Sequence, residues 1–523
     1  MSRRARRRRA PLPGALLRVG AALVGLLGLA LYAAMRLQRG RYGIVGYERG
    51  NVILKPPEWL GGGRLAFPYA VLILLAAALL AVLILLTPAA LRAARAAFAR
   101  RRWTAVLALG LLVYSLLPWG YTDLRLYAEP NYWLSLNLVL GSLGFGLLAW
   151  GAFPLLRRAG PALVGLWRRV AGLPPRWFAL GAAGFTLVVA SVVSLAVFGG
   201  IPHITDASAQ LFQARVFALG RLFAPSPALP SFFDFKHVIS DGRWYSQYPF
   251  GHPLMLALGV LAGLPWLVNP LQAAAAVLAL YGLGREVYTE RVARIATLLF
   301  CLSPFVWFMS GSFMNHTTAM CWGTLFLLFS SRLARRGIGN ALLCGLSLGV
   351  VVATRPATAL GIALPVAVWL LLRLRREPQL FGRVAAAAGV LGFTGILLLV
   401  QNWLTAGAPL RFGYTVLHGP GHGFVFGPAA LGITHTPYKG LVHITSNLAG
   451  LNRYLFEWPI PALLLPLALV VTGTRKAWDW LLLSIPACLL VIHFFYFFHG
   501  YCYGPRFVYE AVPALLLLSA RAL

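Results

Sequence analysis

Asp206 is the first residue of this chain placed to do chemistry. It stands a few residues beyond an apolar run that ends near Phe198, in the stretch ITDASAQLFQARVFALGRLF (204–223). A carboxylate at the edge of an apolar medium can take the proton of a hydroxyl nucleophile, and partial desolvation is expected to raise its pKa towards a useful range. Asp is also a favoured helix cap, so capping of the helix that follows is the competing reading. Three further junctions between apolar runs carry polar groups that their position does not require. These are Asn315 and His316 in SGSFMNHTTAM, Arg355 before Pro356 in VVATRPATAL, and Arg506 with Glu510 in YCYGPRFVYEAVP. An ionisable group in a membrane span costs roughly 2.5–3.5 kcal/mol at its centre, which makes such groups site candidates by default. The plainer alternatives are an i, i+4 pair of Arg506 with Glu510 and an Arg355 that snorkels to headgroups. A second patch, SDGRWYSQYPFGHPL (240–254), links a turn at Asp241-Gly242 to Gln247, Tyr248 and His252. A hairpin and helix start without chemistry is the competing reading there.

Metal chemistry has no comparable pattern. His418 and His422 in LHGPGHGF are four apart, but the intervening Gly-Pro-Gly forbids the helix that would align them; His435 and His443 add no spacing rule. The five cysteines are scattered, four of them inside apolar runs. No metal and no cofactor are expected.

The elements that must hold these residues follow from composition. The chain of 523 residues is 59% hydrophobic and 11% charged, with mean hydropathy +0.75. Soluble chains carry roughly 25% charged residues, so this is an integral membrane protein. The net charge of +33 resides largely in Arg clusters between apolar runs, as cytoplasmic loops require, and no basic segment is interleaved with stacking aromatics. Nucleic acid is therefore excluded as a partner. Runs long enough to span number about fourteen, near 15–38, 67–87, 103–118, 133–154, 177–198, 268–285, 292–309, 314–331, 338–354, 357–374, 384–404, 459–473, 478–498 and 506–523. The fold class is thus an all-α polytopic membrane protein. With the Arg-rich N-terminus inside as a retained first helix, the basic segments 92–102, 157–170, 284–294, 331–337, 373–383 and 473–478 all fall on the cytoplasmic side, and so does the C-terminus. Residues 39–66 resist this scheme, since they would be outside yet carry five basic residues. The polybasic tail should favour anionic headgroups, so membrane lipids count among the partners.

Two long outer segments remain, 199–267 and 405–458, and connections of that length are usually functional or disordered. Their aromatics, Gly, Pro and His argue against disorder. In the first, Phe212, Val216, Leu219 and Phe223 recur at spacings that predict an amphipathic helix lying in the outer interface, with Asp206 at its start. HPLMLALGVLAGLPW (252–266) is too short to span and reads as a second juxtamembrane helix.

An Asp just after a span on the first large outer loop, then DGRWYSQYPFGHPLMLALGVLAGLP, then LGREVYTERVARIATLLFCLSPFVWF, then YGPRF near the end, together resemble the polyprenyl-phosphate-sugar-dependent glycosyltransferases of the GT-C superfamily. The likeness is to the protein mannosyltransferase and lipid A aminoarabinose transferase branch, over about residues 175–523. It implies four segments: an added four-span module (1–170), a catalytic membrane core with the outer loop 199–267 (171–404), a second outer loop (405–458) and closing spans (459–523). It also implies that a sugar passes from a polyprenyl-phosphate donor to an envelope acceptor on the outer face, with Asp206 as base and inversion at the anomeric carbon. Where the family often has a second acidic residue this chain has Ala207, and an acidic residue is common at the junction held here by Asn315. The Lys-Pro-Pro-like element corresponds to Gln247-Tyr248-Pro249-Phe250, so the phosphate-contacting Lys is absent. Arg355, Arg506, Lys236, Lys439 or His252 would take its part, while Trp244, Tyr245, Tyr248 and Tyr503 are suited as platforms for sugar rings, with membership of the interfacial aromatic belt as the competing reading. The rival readings are an envelope polysaccharide polymerase or ligase, a lipid-linked sugar transporter or flippase, and a scaffold. Duplicated halves and paired Gly/Pro-broken spans, which a transporter would favour, are not evident. The compartment implied is a bacterial cytoplasmic membrane with a periplasmic site, although an endoplasmic reticulum lumen would share the sidedness.

Overall fold

The computed structural model describes residues 12–41, 45–48, 51–54, 103–115, 140–334, 337–424, 426–472, 475–498, 500 and 502–523. The chain divides into two units, one of Met1–Gly172 with Trp458–Leu464, the other of Leu173–Glu457 with Leu465–Leu523.

In the first unit the helix Leu12–Arg41 contains an apolar span, Ala15–Ala33, and the helix Leu140–Gly151 runs antiparallel beside it. Glycines permit the approach: a Cβ on Gly25 would lie 2.5 Å from the Leu148 nitrogen, and one on Gly151 2.5 Å from the Arg18 carbonyl oxygen. Ala21 and Leu147 form the buried centre of this contact. After Gly151 the chain turns by 84° into a further helix, Phe153–Gly172. A short apolar helix, Trp103–Ser115, and an antiparallel ribbon, Val45–Glu48 with Asn51–Leu54, are also present.

The second unit is a helical body with a folded segment, 199–267, between its helices. Pro175–Val192 continues through a π turn to Val197, and Val268–Val287, Pro356–Leu374, Phe381–Ala406 and Ala477–Phe494 are likewise long and apolar. His316–Arg332 packs between Val268–Val287 and Ile338–Thr354. Small residues bring helices together here too, since a Cβ on Gly349 would meet Thr394 Oγ1 at 2.5 Å. The last helix, Val512–Ala522, is buried over most of its length.

Among the described residues six helices are long and apolar enough to cross a membrane, or up to eight if each bent pair counts as one span. The expected fourteen are not all represented. The run 67–87 lies outside the described residues. The run at 292–309 is broken by 59° between Glu290–Cys301 and Pro304–Gly311, where Ser303 caps the second piece and Pro304 cannot continue the first. Segments 314–331 and 338–354 become helices of 17 residues each.

The segment 199–267 corrects one expectation. The helix Thr205–Ala218 is not an amphipathic helix floating in the interface: Ala207, Ala209, Gln210, Leu211, Gln213, Ala214 and Val216 are buried over more than half of its circumference, with Arg215 exposed on the remaining side, while Leu219 beyond its end is exposed. It is enclosed by the helix Gly251–Leu261 and by an antiparallel hairpin, Val238–Ser240 with Arg243–Ser246, closed by the two-residue turn Asp241-Gly242. Gly242 adopts φ 94°, which favours glycine there. Gln213 ties helix to hairpin by accepting from the Ser246 N–H at 2.9 Å.

Candidate active site

Asp206 lies in the first turn of the helix Thr205–Ala218 and does not cap it; Ile204 is the residue at the cap, without a side-chain bond. The carboxylate is used across the fold. Tyr248 donates its hydroxyl to Oδ1, and Arg506 Nη1 stands 3.4 Å from Oδ2. Burial pushes the carboxyl pKa up, but the Arg506 charge, the Tyr248 hydrogen bond and nearby His237 outweigh it, and the net value lies below the ordinary one. The expected rise is therefore overturned: the desolvation is real, yet the cation and donor that the fold supplies win. The same carboxylate and burial push the Tyr248 phenol well up, so it remains a donor.

Arg355 is held by its backbone. As the residue before Pro356 it is kept from the helical region, at φ −148° and ψ 82°, and both ends Ile338–Thr354 and begins Pro356–Leu374. Its side chain does not snorkel. Nε lies 3.2 Å from Glu510 Oε1, and Nη1 donates to Asn315 Oδ1 at 3.3 Å and to His316 Nε2 at 3.2 Å. His316 Nδ1 in turn donates to Glu510 at 2.9 Å. Arg506 and Glu510 do not pair with each other, because Arg506–Ala511 is a 3-10 turn, in which residues four apart no longer share a face. Each finds its partner on another element.

These two networks meet at one cavity of about 360 Å³. Asp206, Gln247, Tyr248, Asn315, His316, Arg355 and Arg506 line it, as does Lys236. Among the described residues Asp206 is the only acidic one of the lining. Among the described residues, three buried polar atoms on this wall have no hydrogen-bond partner: Gln210 Oε1, Gln247 Oε1 and Arg506 Nε. Buried polar groups are normally satisfied, so these three mark where a polar ligand would be received.

Four candidates stand elsewhere. His252 is fully buried between Thr318 Oγ1 at 2.7 Å and the Phe313 carbonyl at 3.0 Å, a structural role that removes it as a phosphate ligand. Lys439 donates to the Thr434 carbonyl at 2.7 Å and does not line the cavity. Glu510 lies behind the wall, holding Arg355 and His316. Tyr503, at φ 54°, packs on Phe198 with ring centres 5.1 Å apart, beside a smaller neighbouring hollow.

The opposite wall had no assigned role in the sequence. Tyr414, His418 and His422 line it as a stack, with Tyr414–His422 and His418–His422 centroids each 5.1 Å apart and planes within 7° and 16° of parallel. The HGPGHG spacing that excluded a helix allows this face-to-face turn. His237 stands between this wall and Asp206, accepting from Gln247 Nε2 at 2.7 Å. Burial lowers the pKa of His237, and burial followed by the His418 charge lowers that of His422 to about 4, so both rings are neutral at pH 7. Gly413 seats this wall on the first outer segment; a Cβ there would lie 2.6 Å from Gln247 Cα. Among the described residues no three His, Cys, Asp or Glu side chains form a group that could hold a metal ion.

No protein-family model matches the chain, and no curated protein matches it. Among solved structures, the chain is similar to ArnT from Cupriavidus metallidurans bound to undecaprenyl phosphate, at 17% identity and TM-score 0.43, over 67% of this chain and 60% of that one. It is similar to the apo oligosaccharyltransferase of Archaeoglobus fulgidus at 14% identity and TM-score 0.36, over 66% and 50% of the two chains. AglB from the same archaeon, in complex with an inhibitory peptide and a dolichol-phosphate, gives 12% identity and TM-score 0.33, over 66% and 50%. The chain thus spans 60% of the first of these proteins and half of the other two.

Proposed function

We propose that this protein is a membrane glycosyltransferase that moves a sugar from a polyprenyl-phosphate donor to a hydroxyl of a cell-envelope acceptor, on the outer face of a bacterial cytoplasmic membrane. The observation that carries the reading is the convergence on one cavity of a carboxylate, Asp206, with two guanidiniums, the buried Arg506 and the half-buried Arg355. The motif order quoted above and the distribution of basic segments support the donor class and the sidedness. On this reading the full chain has about fourteen spans, with residues 1–170 as an added module.

The chemistry follows from the groups present. Asp206 accepts the proton of the acceptor hydroxyl as its oxygen bonds to the anomeric carbon; the bond from that carbon to the phosphate oxygen breaks with inversion, and polyprenyl phosphate leaves as an anion. Arg355 and Arg506 stabilise that anion in a site of low dielectric. A carboxylate held at low pKa is ionised but weakly basic. An incoming phosphate competes for the Arg506 guanidinium, and what Asp206 loses in Coulombic stabilisation it gains in basicity. The stack of Tyr414, His418 and His422 offers flat faces to a sugar ring.

The test is transfer from a panel of polyprenyl-phosphate sugars to extracted envelope acceptors, comparing wild type with Asp206→Asn. Loss of an essential base costs about 10²- to 10⁴-fold in rate. An Asn variant with unchanged transfer removes the base; a wild-type protein that binds the donor or moves it across vesicles without transfer removes the enzyme.

A further inference from the structure

We infer that the helix Phe153–Gly172 is an interfacial anchor that binds the anionic headgroups of the cytoplasmic leaflet. It begins where the preceding helix ends: Gly151 lies against the Arg18 carbonyl, and Arg18 donates to the Trp150 carbonyl at 3.4 Å, which sets the bend beside the basic end of the span Ala15–Ala33. A turn of 84° at that level lays the next helix across the end of the span instead of through the membrane.

The sequence of this helix suits that position. At 100° per residue, Leu155, Leu156, Ala159, Leu163, Leu166, Trp167 and Val170 occupy one half of the circumference. Phe153 and Val164 extend that apolar half; Arg157 with Arg168, and Arg158 with Arg169, fall towards the two borders of the other half, which is otherwise Pro154, Pro161, Ala162, Gly165 and Gly172. No residue of the helix is buried; Leu155, Leu163 and Leu166 are 64%, 63% and 60% exposed. An apolar face of that size left bare is costly in water, and arginines along both edges reach headgroups while their stems cover acyl chain. There is no Asp or Glu between residues 140 and 172, and none of the four arginines makes an ion pair among the described residues, so their charge complements an anionic surface. The sequence alone read 157–170 as a loop. The inference does not depend on the proposed enzymatic activity.

The test uses the full-length protein in nanodiscs of phosphatidylcholine alone or of an equal mixture with phosphatidylglycerol. Spin labels are placed at Leu163→Cys on the apolar face and Gly165→Cys on the polar face, where nothing lies within 4 Å of an added Cβ. The expected result is oxygen access without aqueous nickel access at position 163 and the reverse at 165. A fluorophore at Leu163→Cys should also show energy transfer to labelled phosphatidylglycerol in preference to labelled phosphatidylcholine. Each arginine adds roughly fivefold to that preference at low salt, so the variant with all four changed to Gln should lose it. Equal nickel access at the two positions, or a lipid preference that survives the four substitutions, overturns the inference.

Discussion

Replacing Arg506 by Gln removes a charge from Asp206 while keeping a side-chain amide that can donate to it. Asp206 Oδ2 and Arg506 Nη1 are 3.4 Å apart. At an effective dielectric of about 20, unit charges at that separation attract by about 5 kcal/mol, a ceiling; exposed pairs are worth about 0–1 kcal/mol. With the side chains 9% and 20% exposed, the contribution lies between, a few kcal/mol. The sign is fixed by the direction of the shift. The folded pKa of Asp206 is depressed, so the stability it contributes is present above its unfolded value and lost as pH falls through the folded value. Activity that needs the carboxylate follows the same course. In Arg506→Gln the upward push of burial is less opposed, and the acid limb of kcat/KM moves to higher pH, by one unit for each 1.4 kcal/mol or so of lost attraction. The profile of kcat adds a second reading: in wild type its acid limb should lie above that of kcat/KM, because bound donor phosphate draws on Arg506, and in the variant this gap should close. The assay is transfer of labelled sugar in detergent across the acid range. A limb that does not move while the rate falls would refute the argument, leaving Arg506 as a donor contact that does not govern Asp206.

Tyr248→Phe removes the hydroxyl that donates to Asp206. A hydrogen bond to a charged group is worth about 1.5–3 kcal/mol, so the acid limb of kcat/KM should move to higher pH by about one to two units. Gly413→Ala places a Cβ 2.6 Å from Gln247 Cα, and such overpacking costs about 1–3 kcal/mol; thermal unfolding should come earlier and transfer should fall as Gln247 and its neighbour Tyr248 shift. Lys439→Ala should leave transfer unchanged, since its ammonium is committed to the Thr434 carbonyl, and a clear loss of donor use would return Lys439 to the site.

What the sequence made legible was the position of charge along the chain. Asp206, Arg355 and Arg506 interrupt apolar runs, and the expense of that placement is readable without coordinates. What remained hidden was direction, which the backbone decides. His252 and Arg355 look alike as basic residues beside a proline, yet His252 sits inside the body between Thr318 and Phe313, while the extended pre-proline backbone turns Arg355 towards Asn315 and His316. Arg506 and Glu510 have helix spacing but lie in a 3-10 turn, so a local pair became two long-range ones. The helix Thr205–Ala218 shows the same limit. Its apolar spacing is genuine, but Gln213 is buried against the hairpin by a hydrogen bond that periodicity does not count as core.

What the sequence could not give is the contacts between residues remote along the chain. Asp206 reaches 42 residues to Tyr248 and 300 to Arg506, and no periodicity encodes a contact at such separation. The stack of Tyr414 and His422 follows from the same circumstance: Gly413 leaves room for Gln247, and segment 405–458 packs on segment 199–267 and brings Tyr414, His418 and His422 to the cavity that Asp206 lines. A glycine in a loop gives no chemical signal of its own. The site therefore depends on a residue without a side chain as well as on charged ones, and Gly413→Ala tests it where no charge is altered.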